Sequence, residues 1–415
     1  KNWWAEQRTG PLECRPQLKV KMQTGASQME DVELYPWTKI APTLGVIFIS
    51  PALLTVGGTI GTLLPPEMAV AVSILAGLTF STIIYLHGGV GSRAHMGLLK
   101  VMEGSLGTKG SRFFASPLIT ITQIGWFSVL ITLGGEALSK LIPLPKVLSI
   151  TIFGILVASV TYFSFRHLSD FTKVTALVTG AFALWALYAI LSSGSAPSDL
   201  ANGDLIYAST LAIGGAMSIS TVSPDFVKGA QSIRDLKITA FGVVFPVVIF
   251  SLISGSLIGY HTSVPNPVQA LTVMGLPILA NLLLLVGSTA AASSLYPPSI
   301  ALSTLAGISR KNATVFAALG GLTVSYMGIL DQLRIFLQLI GVLLPPLIGI
   351  NLAEYYILSK TVLPKEGVYL RGLISWILGA GFGTFMPSGV TPLNSLIISF
   401  LVYCVLHIHP KSFFR

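Results

Sequence analysis

Apolar runs of about twenty residues recur along the chain, each closed by a short polar or charged break. A helix rises 1.5 Å per residue, so a run of ~20 residues matches the ~30 Å hydrocarbon core of a bilayer. The runs lie near 40–64, 67–88, 113–138, 147–165, 171–192, 205–223, 237–260, 275–306, 312–329, 331–358, 369–387 and 390–408. They predict an all-α polytopic membrane protein of twelve spans, numbered one to twelve here in chain order. Residues 1–37 contain no apolar run and read as a polar tail. Residues 38–358 form the main body, and 359–415 hold the last two helices with a short tail.

Three spans carry internal interruptions. Span one reads APTLGVIFISPALLTVGGTIGTLL, with Ser50-Pro51 in its middle. Proline has no N–H and clashes with the preceding turn, so a break is predicted near Phe48 to Pro51. Span six carries Gly214-Gly215-Ala216-Met217-Ser218-Ile219-Ser220 at mid-depth. Small and hydroxyl residues weaken a helix there, and a second break is expected within this stretch. An ordinary proline kink and a small-residue packing face are the plainer readings. Two interrupted helices five spans apart point instead to inverted repeats, about 38–192 and 205–358, sharing a central site as in secondary transporters. Leu343-Leu344-Pro345-Pro346 predicts a hinge in span ten, and Pro297-Pro298 a bend in the long eighth run.

Composition narrows the function. The chain is 52% hydrophobic and 10% charged, against about 25% charged in soluble domains. The net charge of +9 forms no basic stripe interleaved with aromatics, so nucleic acid is excluded as a partner. Of the 25 lysines and arginines, only Lys140, Lys146 and Arg334 fall on the side opposite the N-terminus. That asymmetry predicts a multi-pass protein of the cell membrane with both termini, and so Cys14, cytoplasmic. Cys14 and Cys404 suggest no disulfide, and the scattered histidines no metal centre; His407 and His409 read as a solvated or interfacial tail feature. Glu136, Asp225 and Glu354 sit near span ends, away from the interrupted middles. No convergent set of ionisable groups supports an enzyme. Their absence from the centre favours sodium over protons as the driving ion, with no cofactor besides.

Particular residues extend this reading. Trp126 lies mid-span, where an indole face suits a flat heteroaromatic ligand. Gln123, one turn away, both donates and accepts, as an amide-like base edge requires. Several segments together resemble the nucleobase:cation symporter-1 family, in its cytosine permease branch. They are Leu44-Gly45 with Gly57-Gly58-Thr59-Ile60-Gly61, Gly107-Thr108-Lys109-Gly110-Ser111, and Thr122-Gln123-Ile124-Gly125-Trp126-Phe127. Ser223-Pro224-Asp225-Phe226-Val227-Lys228, Leu344-Pro345-Pro346-Leu347-Ile348-Gly349 and Ala353-Glu354-Tyr355 complete the set. The resemblance implies a five-plus-five inverted-repeat core of the LeuT type with two added C-terminal helices. It assigns Gln123, Trp126, Gly215 and Ser218 to the substrate, with Ser50 at the break beside them. It implies a sodium site from the carbonyls of Gly45 and Phe48 or Ile49 with Leu285, Ser288 and Thr289 of span eight.

Two departures stand out. Ala216 replaces an aromatic that closes a stacking sandwich in the branch, and Ala290-Ala291-Ala292 replaces its Asn and Asp residues. The expected function is cation-driven import of a nucleobase or related small heterocycle. The alternative is a same-fold symporter for an amino acid, hydantoin or vitamin, or one coupled to protons.

Overall fold

A computed structural model describes residues 19–24, 28–193, 203–386 and 389–408. Helix occupies each of the twelve apolar runs. Among the described residues, eight helices are long and apolar enough to cross a membrane, or nine when the bent pair of span one counts as one crossing. Spans six (Leu205–Thr221), nine (Arg310–Tyr326) and eleven (Leu370–Phe385) are helices of 17, 17 and 16 residues. Cys14 and His409 lie outside the described residues. In the tail, β1 (Lys19–Thr24) pairs antiparallel with β2 (Gln28–Glu33), an element the polar pattern did not announce. The chain then forms a bridge from Tyr35 to Gly229 and Gln231, beyond the end of span six.

Span one breaks where proline requires it. One helix covers Trp37–Phe48 and the next Pro51–Leu63, bent by 48°. Pro51 cannot donate to the carbonyl of Ile47, which receives the Ser50 N–H at 3.3 Å instead. The second half is locked to span seven. A Cβ on Gly57 or Gly61 would overlap the carbonyls of Leu252 or Ser256, and one on Gly255 or Gly259 those of Leu54 or Gly58. Backbone meets backbone here, an approach only glycine permits, and Ser256 Oγ adds a bond to the Gly57 carbonyl at 3.1 Å.

Span six does not break at its glycine and serine stretch. The helix runs unbroken from Leu205 to Thr221, bends at Val222 (φ −89°, ψ 5°) and resumes over Ser223–Val227. Glycine lowers helix stability by about 1 kcal/mol, whereas proline deletes a bond and costs ~3 kcal/mol or more. The interruption therefore falls beside Pro224. The eighth run likewise keeps Pro297 and Pro298 inside a helix (Ala291–Ala306), and its irregular turn is Ser288–Ala290. Span ten is interrupted at Leu344, between helices Leu333–Leu343 and Pro345–Leu352, as its prolines predict.

Basic residues concentrate at one end of the bundle, where several cap helix C-termini. Arg310 donates to the carbonyls of Thr161, Tyr162 and Phe163, and Arg112 to that of Leu305. Cations suit these ends, where the last carbonyls lack partners and the helix dipole is negative.

Candidate functional site

Spans one, three, six, eight and ten enclose a cavity of about 250 Å³. Ser50 and Pro51 reach it because the break of span one exposes them there. Gln123 and Trp126 reach it from one face of span three, and Gly215 and Ser218 from span six. The nearest atom to a Cβ on Gly215 would be Val56 Cγ2 at 3.5 Å, so Gly215 leaves room beside the break. The side chain of Ala216 lies outside the described residues.

The polar groups of the cavity are few and oriented. Gln123 Nε2 donates to Ser218 Oγ at 2.7 Å in a buried bond joining spans three and six. That leaves the serine proton as a donor and the glutamine oxygen as an acceptor. Trp126 is half-buried and meets Phe336 of span ten edge-on, with centroids 5.7 Å apart at 74°. Phe336 fits only because Gly125 has no side chain; a Cβ there would enter its ring. The indole is thus wedged from behind, as an aromatic platform needs to be. Thr55 and Thr59 also line the cavity, but their hydroxyls donate back to the carbonyls of Pro51 and Thr55. No charged side chain lines the cavity among the described residues.

The six residues proposed for the cation surround the same break. Phe48 lines the cavity, whereas Gly45, Ile49, Leu285, Ser288 and Thr289 lie outside its lining. Gly287 presses on Pro51; a Cβ would fall 2.6 Å from the proline Cδ. This contact brings the irregular turn at Ser288–Ala290 against span one. Ser288 Oγ is fully buried without a hydrogen-bond partner, and Thr289 Oγ1 donates to the Val286 carbonyl at 2.6 Å. In span one the Gly45 carbonyl already accepts the Ile49 N–H, and the Leu53 N–H turns from Ile49 to the Ser50 carbonyl. Ser288 Oγ is one of ten buried side-chain polar atoms without a partner among the described residues. Groups of three or more His, Cys, Asp or Glu able to hold a metal are absent among the described residues.

Sequence reasoning missed part of the lining. Ala290, Ala291 and Ala292 are fully buried away from the cavity, and span eight contributes Leu284 and Ser294 instead. Asn266, which caps the helix Pro267–Val273, forms part of the wall opposite the basic end. Leu330, Leu333 and Leu337 join it from the start of span ten. Only the contact order of the folded bundle reveals these residues, since each looks ordinary in its own segment.

Toward the basic end, aromatic rings outside the cavity lining pack against one another. Tyr35, Phe165, Tyr296 and Phe226 pack in succession at 5.2, 5.4 and 5.6 Å between centroids. Asp225 accepts the Leu98 N–H at 2.9 Å and so starts the helix Leu98–Leu106. Glu354 accepts from Lys365 and Tyr403 at 2.7 and 2.6 Å, tying span ten to span twelve. His407 belongs to span twelve and is half-buried against Tyr369 and the Tyr403 carbonyl, not solvated in a tail. Glu136 pairs with Lys146 at 2.6 Å at the opposite end.

With this geometry in hand, the relatives are informative. Residues 36–372 match the family described as permease for cytosine/purines, uracil, thiamine, allantoin. The cytosine permease of Escherichia coli (strain K12) is 23% identical over 381 residues, covering 88% of this chain and 89% of that protein. The putative allantoin permease of the same strain is 22% identical over 347 residues, covering 71% of each. Among solved structures, Mhp1, a nucleobase-cation-symport-1 family transporter in a closed conformation with bromovinylhydantoin bound, superposes with a TM-score of 0.77. That match has 17% identity and covers 90% of this chain and 92% of the other. MhsT in complex with L-phenylalanine gives 0.54 at 15% identity, covering 89% and 98%. These likenesses fix a LeuT-like, multi-pass fold whose business is transport and not enzymatic conversion. The chain belongs to the nucleobase:cation symporter-1 family, the permeases for cytosine, purines and allantoin-type solutes.

Proposed function

We propose that the protein imports an uncharged nucleobase, or a heterocycle of the same amide-edged kind, by alternating access driven by a cation gradient. The observation that carries this is the convergence of Ser50, Gln123, Trp126 and Ser218 on one cavity at the break of span one. A flat ring stacks on the indole of Trp126. Its edge exchanges hydrogen bonds with the Gln123 oxygen, the Ser218 hydroxyl and the groups freed at Ser50.

The coupling ion on this reading is sodium, held by Ser288 and Thr289 with carbonyls of Leu285, Gly45 and Phe48 or Ile49. The buried, unpartnered hydroxyl of Ser288 supports it. When bound, a monovalent cation there supplies positive charge that pins span eight to span one beside the cavity. The distribution of basic residues supports twelve crossings with both termini cytoplasmic. Asn266 and Leu330 then mark the outer end of the cavity, and the aromatic stack the inner seal.

The test is uptake by purified protein in proteoliposomes, with labelled cytosine, uracil, allantoin and a hydantoin, under a sodium or a proton gradient separately. Saturable uptake of at least one heterocycle, stimulated by inward sodium, is expected. Uptake driven only by the proton gradient would replace the ion, and uptake of none of the four would overturn the substrate class.

A further inference from the structure

One hydrogen-bonded chain on the basic side has no part in the account so far. Ser220 is the penultimate residue of the span-six helix, and Pro224, four residues on, has no N–H to offer its carbonyl. Besides the Val222 N–H of the cap, that carbonyl accepts from Ser223 Oγ at 2.7 Å and from His87 Nδ1 at 3.3 Å. His87 is fully buried on a π-helical turn of span two, Ile84–Gly88. A carbonyl only accepts, so Nδ1 carries the ring proton, and the neutral ring presents Nε2 as an acceptor. Nε2 faces Asn351 Nδ2 of span ten at 3.1 Å. Asn351 Oδ1 in turn accepts from Ser105 Oγ at 2.5 Å, on the helix between spans two and three. With the ring neutral, the links run one way, from Ser105 through Asn351 and His87 to Ser220.

We propose that His87 is a positioning residue for span six: it holds the end of that helix against span ten, and the chain must part before the cavity opens to the basic face. The link to the site is short. Ser220 lies two residues from Ser218, which bonds Gln123, and next to Ile219, which lines the cavity. A displacement of the Ser220 carbonyl therefore moves cavity residues directly. Buried polar groups left unpaired are costly, so the chain stays closed until span ten and span six offer other partners. His87 is suited to this because it donates on one side and accepts on the other across the gap between two spans. The inference rests on the cavity being the transport site.

The test places a reporter in the cavity floor, Ile219→Cys, in protein carrying Cys14→Ser and Cys404→Ser. An impermeant maleimide is applied to inside-out membrane vesicles, with right-side-out vesicles in parallel to show which face is reached. His87→Phe and Asn351→Leu should each speed labelling from the basic face by about tenfold, the effect expected for one buried hydrogen-bonded link. The double variant should be no faster than either single one, because one chain is broken once. His87→Gln, which still donates and accepts, should stay within roughly twofold of the parent. Parent-like labelling in His87→Phe, equal acceleration in His87→Gln, or multiplied effects in the double variant would overturn the proposal. If His87→Phe does not fold, Asn351→Leu and Ser105→Ala must both accelerate labelling for the proposal to stand. Uptake of cytosine, uracil, allantoin and a hydantoin by the protein with native Ile219 is measured alongside. Uptake of none of them would count against the transport reading, whereas the labelling comparison reads the chain itself.

Discussion

Spans one and six look alike in sequence and behave differently in the structure. Each carries a cluster of helix-weakening residues at mid-depth. Span one parts at that cluster and its broken ends line the cavity. Span six stays helical through Gly214–Ser220 and bends only at Val222, past the cavity. The residue that decides is proline. Pro51 lies inside the cluster and removes a donor at mid-depth, while Pro224 lies nine residues beyond Gly215 and removes one near the basic end. Glycine and serine alone leave every backbone bond available, and a buried helix keeps them because lipid and packed protein offer nothing better. The two breaks accordingly differ in surroundings: one turns backbone toward the cavity, and the carbonyl at the other is met by Ser223 and His87.

Healing the first break is the strongest way to destroy the difference. Pro51→Ala restores a donor for the Ile47 carbonyl and should straighten span one, removing the polar groups around Ser50. Two lost contacts of ~1–3 kcal/mol each lower ligand affinity on the order of a hundredfold, readable by isothermal titration. Unchanged affinity would mean that the break has no role at the site. Next in size is Trp126→Ala, which removes roughly 1–3 kcal/mol of stacking, about ten- to a hundredfold in affinity; Trp126→Phe should keep part of it.

The double variant Ser288→Ala/Thr289→Ala probes span eight where Gly287 abuts Pro51. Sodium stimulation of binding should fall about tenfold while the protein still inserts and binds weakly without sodium. Full sodium dependence in that variant would remove these hydroxyls from the ion site. The smallest effect is expected from Pro224→Ala. It gives the Ser220 carbonyl back its helical donor outside the cavity, so affinity should change by less than about threefold, within the worth of one hydrogen bond. A loss as large as that of Pro51→Ala would erase the distinction between the two breaks.

The contrast also shows what the sequence could reveal. Apolar runs locate the spans because the bilayer imposes their length, and Ser50-Pro51 locates a break because proline chemistry is local. Gln123 and Trp126 are legible as a pair because helical spacing puts them on one face. The glycine stretch of span six misleads, since the same residues serve close packing, as Gly57 and Gly255 do against each other's helices. Ser294, Asn266 and the leucines of span ten carry no local mark, and neither does His87. They come together only when distant segments assemble, as when Gln123 meets Ser218, 95 residues on, and Tyr356 meets Leu86, 270 residues away. Such contacts depend on how the spans are assembled, which a single sequence does not state.

The central claim is that the broken middle of span one, facing Trp126 across the cavity, receives the transported heterocycle. Ser50→Cys, in protein lacking Cys14 and Cys404, places a thiol at that break. Its labelling by a small thiol reagent, measured with rising cytosine, uracil, allantoin or hydantoin in sodium, tests the claim most directly. The account predicts that whichever of these drives saturable uptake also protects the thiol, with half-protection at the concentration that half-saturates binding. Labelling that proceeds at the same rate with the transported compound bound would contradict it.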